Sequence, residues 1–226
     1  MNRTMKLLAL AVLVLIVAAS LEAVMLATIT NEQKPQSPVR VACVGDSITR
    51  GTEYTLYLWE KLGSNYVLSD FGVGGVTVSL KSESAYMNTT AFELAKQFQP
   101  DIVVVMLGTN DADNDLNASK EQFVLDYLNL VAAFQSLPSN PKVYIVLPPP
   151  IFENDANLNG NLLTQMIIPS IREVANMTGV GLADAYTPLL GHPDYFGDGV
   201  HPKVAGAQVI ADAVYSVLAL DLLKEE

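Results

Sequence analysis

The chain is 226 residues long and carries 13 Lys and Arg against 24 Asp and Glu, a formal charge of −11, and half of its residues are hydrophobic. An acidic chain repels phosphate backbones, which argues against nucleic acid as a partner, and so large an apolar fraction argues against disorder over most of its length. One cysteine allows no intrachain disulfide, and two histidines without a cysteine cluster offer no zinc site of the usual nitrogen and sulfur kind.

The N-terminus reads MNRTMKLLALAVLVLIVAASLEAVMLATITN. Arg3 and Lys6 precede an apolar run over 7–21, and after Glu22 apolar residues continue to Ala27. Positive charge followed by such a run marks residues 1–28 as a signal peptide or an N-terminal membrane anchor lying outside the fold. Cleavage after Ala19 fits the small-residue rule, and an uncleaved anchor would use residues 7–28, about spanning length. Both readings carry the remainder outside the cytoplasm, secreted or held at the membrane. Residues 29–38, polar and proline-bearing, read as a linker, and residues 39–226 as one domain.

From Val39 the chain alternates short β-rich runs with helical stretches. Strands are predicted at 39–44 (VRVACV), 66–71 (YVLSDF), 101–107 (DIVVVML), 142–147 (KVYIVL) and 179–184 (GVGLAD). Helices are predicted near 54–62 ahead of Gly63, near 90–98 ahead of Pro100, from Ser119 through the apolar-periodic stretch that follows, near 162–178, and from about 202 to 223. Ser119 followed by Gln122 has the spacing of a capping box. Cys43, inside an apolar run, reads as a buried core residue. Continuous apolar strands separated by helices predict an α/β domain whose parallel sheet is covered on both faces.

Open α/β sheets hold their ligands beyond the carboxyl ends of the strands. Here the first strand runs into "GDS" (45–47), the second into "GVGG" (72–75) and the third into "GTND" (108–111), and "DGVHP" (198–202) comes shortly before the last helix. Each has an ordinary reading alone: Ser47 as a helix N-cap, Gly74 and Gly75 as turn residues, Asn110 bonding its own loop, His201 as a helix start beside Pro202. Together they supply the parts of acyl transfer. Ser47 brings a hydroxyl nucleophile, His201 an imidazole base, Asp198 a carboxylate three residues earlier, and Asn110 with a glycine amide the donors for an oxyanion.

In this order the four blocks resemble those of the SGNH hydrolases, also called GDSL esterases and lipases, and the resemblance spans residues 39 to about 220. It implies a three-layer α/β/α sandwich with a central parallel sheet of the SGNH or flavodoxin-like kind. It also implies Ser47 as nucleophile, Asp198 and His201 as its relay, and an oxyanion hole of the Ser47 amide, the Gly75 amide (or that of Gly74) and the Asn110 side chain. Asp46 is then a brace for the loop. The block reads "GDSI" where the family name has leucine, a packing difference. "DFGVGGVTV", "PDIVVVMLGTND" and "KVYIVLPPPIF" are most similar to the acetylesterase-like branch. The activity implied is hydrolysis of short-chain acyl esters, O-acetyl groups on carbohydrates among them, through an acyl-enzyme, with no cofactor or metal. A lysophospholipase or thioesterase, and a catalytically silent glycan-binding module on the same fold, are the alternatives.

Competing motifs fail on their own terms. G-x-S-x-G is absent, Thr77 stands where G-x-G-x-x-G needs its last glycine, and no Walker lysine motif occurs. "DADND" (111–115) begins like a calcium loop, but Leu116 and Gln122 occupy the positions that want glycine and glutamate, so a solvated loop is expected. His192 competes with His201 for the base, but its distance along the chain from Asp198 makes Asp198 with His201 the tighter pair.

Overall fold

The valine-rich runs pair into one sheet: β1 (Val39–Gly45), β2 (Tyr66–Gly72), β3 (Ile102–Met106), β4 (Lys142–Leu147) and β5 (Gly181–Asp184). The structure, a computed structural model, describes residues 2, 3, 5, 16–22, 37–116 and 118–222. Most of the expected signal or anchor (1–28) and of the linker (29–38) therefore lies outside the described residues. Contacts divide the chain into two units, Met1–Ser37 and Pro38–Glu226, and the second carries the sheet.

All strand pairs are parallel, in the order β2-β1-β3-β4-β5. Around them lie α1 (Ser47–Gly51), α2 (Tyr54–Leu62), α3 (Thr90–Gln97), α4 (Lys120–Gln135), α5 (Ile168–Thr178) and α6 (Val204–Leu222). Successive side chains of a strand point to opposite faces, and the core is split accordingly. Ala42, Val44, Val103, Val105 and Ile145 pack with Phe92 of α3, Phe123 and Leu130 of α4, and Ile171 of α5. Val41, Cys43, Val104, Met106 and Val146 pack with Ile48 of α1, Leu58 of α2, and Ile210 and Val214 of α6. The result is the expected three-layer α/β/α sandwich. Cys43 is fully buried in the second cluster, and burial pushes its thiol up to about 12. Among the described residues α6 alone is long and apolar enough to cross a membrane; its apolar side is spent on the sheet.

Several boundaries differ from expectation for local reasons. Gly179 belongs to the end of α5, where it adopts φ +69° and donates its N–H to Ala175 O at 2.9 Å, so β5 begins only at Gly181, opposite Tyr144. The helix expected from 162 starts at Gly160–Leu162 and widens into a π turn over Leu163–Ile167 before α5. Half of the capping box forms: Ser119 Oγ accepts from Gln122 N at 3.2 Å, but the Gln122 side chain donates to Asp126 Oδ1 at 2.8 Å.

From β1 the chain steps one way to β2 and then the other way through β3, β4 and β5. The order therefore reverses between β1 and β3, and a crevice opens beyond the carboxyl ends of strands at such a reversal. Ser47 follows β1 and Asn110 follows β3.

Candidate active site

β1 ends at Gly45 because nothing larger fits: a Cβ there would lie 1.9 Å from Thr49 Oγ1 and 2.8 Å from Met106 O. The tight packing turns the chain at once into α1. Asp46 is its N-cap, with Oδ1 accepting from Ile48 N at 2.9 Å, and Ser47 is the first residue of the helix. The N-cap reading of Ser47 is thus corrected: the aspartate has two acceptor oxygens for the orphan amides of the first turn and takes that place, which leaves the serine hydroxyl for other work. Asp46 is 1% exposed, and burial pushes its carboxyl up to about 6 against the pull of the Ile48 amide, the Thr109 hydroxyl and His201.

Ser47 is half-buried, and its Oγ lies 2.8 Å from His201 Nε2. The other ring nitrogen, Nδ1, lies 2.7 Å from Asp198 Oδ2. With the Nδ1 proton donated to the carboxylate, Nε2 is the acceptor for the serine hydroxyl. Asp198 is fixed in turn by its own loop, since Oδ1 accepts from Val200 N at 3.0 Å and His201 N at 2.8 Å. The D-x-x-H spacing does this: one oxygen closes the turn on the backbone while the other meets the ring three residues on. Partial burial raises the Asp198 carboxyl, but the bonds from the His201 amide, the His201 ring and the Val200 amide outweigh it and hold it down at about 2. His192 is elsewhere, stacked on Tyr195 at 4.5 Å with its Nδ1 3.9 Å from Asp194 Oδ1.

The glycine turn after β2 is next to this pair. A Cβ on Gly74 would lie 3.9 Å from Ser47 Cβ, and Gly75 is exposed with φ +75°, a conformation that side chains disfavour. Asn110 does not bond its own loop. Its Nδ2 donates to Val76 O at 2.8 Å, so the side chain reaches across the crevice to the residue after Gly75, and one N–H of the amide is left over. Its neighbour Asp111, 1% exposed, accepts from Val78 N and Ser79 N at 2.8 Å each. Burial pushes that carboxyl up to about 7, the two amides pull it down and Asp46 adds to the rise.

The solvated loop expected at 111–115 is corrected at its start, because Asp111 and Ala112 are buried; unforeseen too is Asp126, which is 1% exposed and whose Oδ2 accepts from Leu80 N at 2.8 Å. The available signal was an aspartate at 126 among Phe123, Tyr127 and Leu130, on the buried side of a helix, where a charge persists only with partners.

Two clefts meet at Ala156. One is lined by Asp198 with Phe152, Glu153, Asn154 and Asp155; the other by Gly75 and Asn110 with Thr77, Glu83, Asp113 and Asp115. The acidic 111–115 stretch is tied to a neighbouring loop, Asn157 Nδ2 donating to Asp113 Oδ1 and Asp115 Oδ2 at 3.0 Å each. Among the described residues no three His, Cys, Asp or Glu side chains converge as metal ligands would.

Both the sequence and the fold have relatives among known proteins. The model of the GDSL-like lipase/acylhydrolase family matches residues 43–209. An acetylxylan esterase of Xylanibacter ruminicola is 30% identical over 209 residues, 81% of this chain and 44% of that protein. A multidomain esterase of Ruminococcus flavefaciens is 33% identical over 119 residues, 49% of this chain and 14% of that protein. The chain thus spans less than half the length of these relatives. Among solved structures, a carbohydrate acetylesterase from Sinorhizobium meliloti superposes with TM-score 0.65 at 20% identity, covering 80% of this chain and 99% of the other. The aryl esterase of M. smegmatis gives 0.63 at 19%, covering 80% and 99%. At such identities the likeness speaks for the fold.

Proposed function

The chain belongs to the GDSL-like lipase/acylhydrolase family, and on that footing we propose that it is a serine esterase that removes short acyl groups, foremost O-acetyl groups carried on carbohydrates. The observation that carries the reading is the relay of 2.8 Å and 2.7 Å from Ser47 through His201 to Asp198.

In the proposed cycle Ser47 Oγ attacks the acyl carbon while its proton passes to His201 Nε2. Asp198, ionised at any pH above its lowered range, stabilises the imidazolium without taking the proton. The carbonyl oxygen becomes an oxyanion facing the Gly75 amide, the remaining N–H of Asn110 and the Ser47 amide, one of the first amides of α1, which lack an acceptor within the helix. Collapse breaks the bond to the alcohol oxygen, which leaves with the proton from Nε2. Water then attacks the acyl-enzyme, gives its proton to Nε2, and the acid departs as Ser47 regains that proton.

Three things support a short acyl group on a carbohydrate. The best-covered relative above is an acetylxylan esterase. The cleft at Gly75 and Asn110 is lined mainly by carboxylates, an amide and hydroxyls, and the one at Asp198 sets carboxylates and an amide beside Phe152 and Phe196, which together suit the polar edges and apolar face of a sugar. A long acyl chain would want a continuous apolar slot, and the cleft at Gly75 and Asn110 has only Leu116, Ala156 and Leu158 to offer. The basic-then-apolar N-terminal sequence supports action outside the cytoplasm, released or membrane-held.

Initial rates on 4-nitrophenyl esters from acetyl to palmitoyl, run beside acetylated xylan and acetylated monosaccharides, test the proposal. Acetate release from the sugars and a rate that falls with chain length are expected. A maximum at long chains would favour a lysophospholipase or thioesterase, and no turnover of any ester would favour a silent glycan-binding module.

A further inference from the structure

The segment that follows Gly75 is held more firmly than an exposed turn requires. Val76 O accepts from the Asn110 side chain, Val78 N and Ser79 N donate to the two oxygens of Asp111, and Leu80 N donates to Asp126. Residues 76–79 are almost wholly buried, and the carboxylates reach them from a 3₁₀ turn after β3 (Asn110–Ala112) and from α4. Gly74 and Gly75, just upstream, are exposed. One short turn, "NDA", therefore supplies both an amide for the crevice and the anchor for the loop carrying the facing glycine amide.

Chemistry singles out a carboxylate for this task. Two neighbouring backbone N–H groups need two acceptor oxygens set side by side, and a carboxylate has them once ionised; burial moves that ionisation up to about 7 here, so the grip is complete only above that range. An asparagine would turn its NH₂ toward one of those donors. Burying a carboxylate is costly, so a carboxylate kept here is explained by what those two amides hold in place.

We propose that Asp111 is a positioning residue of the oxyanion hole: by gripping the Val78 and Ser79 amides it fixes the Gly75 amide against the Asn110 side chain, so that the two donors converge on one oxygen. The role rests on the reading of Gly75 and Asn110 as oxyanion donors given above. Asp126 holds the far end of the same segment and acts in the same sense, more weakly, through a single amide.

A double-mutant cycle in the full-length protein tests this. Asp111→Asn, Asn110→Ala and the double variant are assayed on 4-nitrophenyl acetate for kcat and KM, with thermal denaturation alongside. Asp111→Asn should lower kcat by ~10–10²-fold with KM within about threefold, since small misplacements of catalytic donors have effects of that order. In the Asn110→Ala background the same substitution should cost less than about threefold, because the hole is already broken. An equal loss in both backgrounds, or a raised KM with unchanged kcat, would overturn the positioning role alone. Unchanged kcat in Asn110→Ala would overturn the oxyanion reading and the positioning role with it. If Asp111→Asn does not fold, Asp126→Asn is put through the same cycle, where a smaller kcat loss that vanishes beside Asn110→Ala supports the proposal and an additive one overturns it.

Discussion

Replacing Asp198 by Asn should be worse for catalysis than replacing it by Ala. In the native loop Asp198 Oδ1 accepts from the Val200 and His201 amides while Oδ2 meets His201 Nδ1. The two backbone donors force the asparagine oxygen toward themselves, so its NH₂ faces Nδ1. The ring then accepts at Nδ1 and carries its proton on Nε2, where it cannot take the proton of Ser47. Reversing the amide to rescue the useful tautomer sacrifices two hydrogen bonds at roughly 1–1.5 kcal/mol each, about 2–3 kcal/mol in all. At 1.36 kcal/mol per decade that leaves on the order of one competent molecule in 10². Lost support for the imidazolium adds to this, and wrong-tautomer substitutions in serine hydrolases of other folds reach ~10⁴. Asp198→Ala loses orientation and charge but imposes no tautomer. Both variants are to be assayed for kcat and KM on 4-nitrophenyl acetate, with circular dichroism to show that each is folded. The expected order is wild type, then Asp198→Ala, then Asp198→Asn, with KM little changed. An Asp198→Asn enzyme within tenfold of wild type, or more active than Asp198→Ala, would refute the tautomer argument.

Other outcomes follow from the same geometry. Asn110→Ala should lower kcat by ~10²–10³ with little effect on KM, measured by steady-state kinetics, because the contact matters mainly in the transition state. His192→Ala should stay near wild type while His201→Ala approaches the loss of Ser47→Ala, since only His201 reaches the serine. No acid limb from Asp198 should show in the pH–rate profile above pH 3, because that carboxyl is held at about 2. Asp46→Asn should gain stability relative to wild type as pH rises. Its carboxyl titrates near 6 when folded against an ordinary 3.8, so its favourable contribution belongs to acid and is lost as pH climbs through that window. Between pH 5 and 8 the variant should improve by ~1 kcal/mol relative to wild type in denaturant melts.

The strands were legible because parallel sheets buried on both faces write themselves as valine runs, and the limits of β4 coincide with the run at 142–147. The four site blocks were legible because each follows a strand or opens the last helix. What escaped was set by contacts distant in sequence. Asp46 outcompeting Ser47 for the helix cap depends on how closely Gly45 packs against Thr49 and Met106. The grip of Asp111 on Val78 and Ser79 spans more than thirty residues, and no periodicity encodes it. Gln122 abandoned its capping partner because Asp126, one turn on, is buried and needs a donor.

Ser47 is the attacking group on which the proposed chemistry depends. The most direct measurement is to treat the full-length enzyme with a serine-directed phosphonate and map the adduct by peptide mass spectrometry while following residual activity. Modification of the peptide bearing Ser47 alone, rising in step with loss of turnover and absent in Ser47→Ala, is the expected result. A labelled serine elsewhere, or full turnover by purified Ser47→Ala, would contradict it.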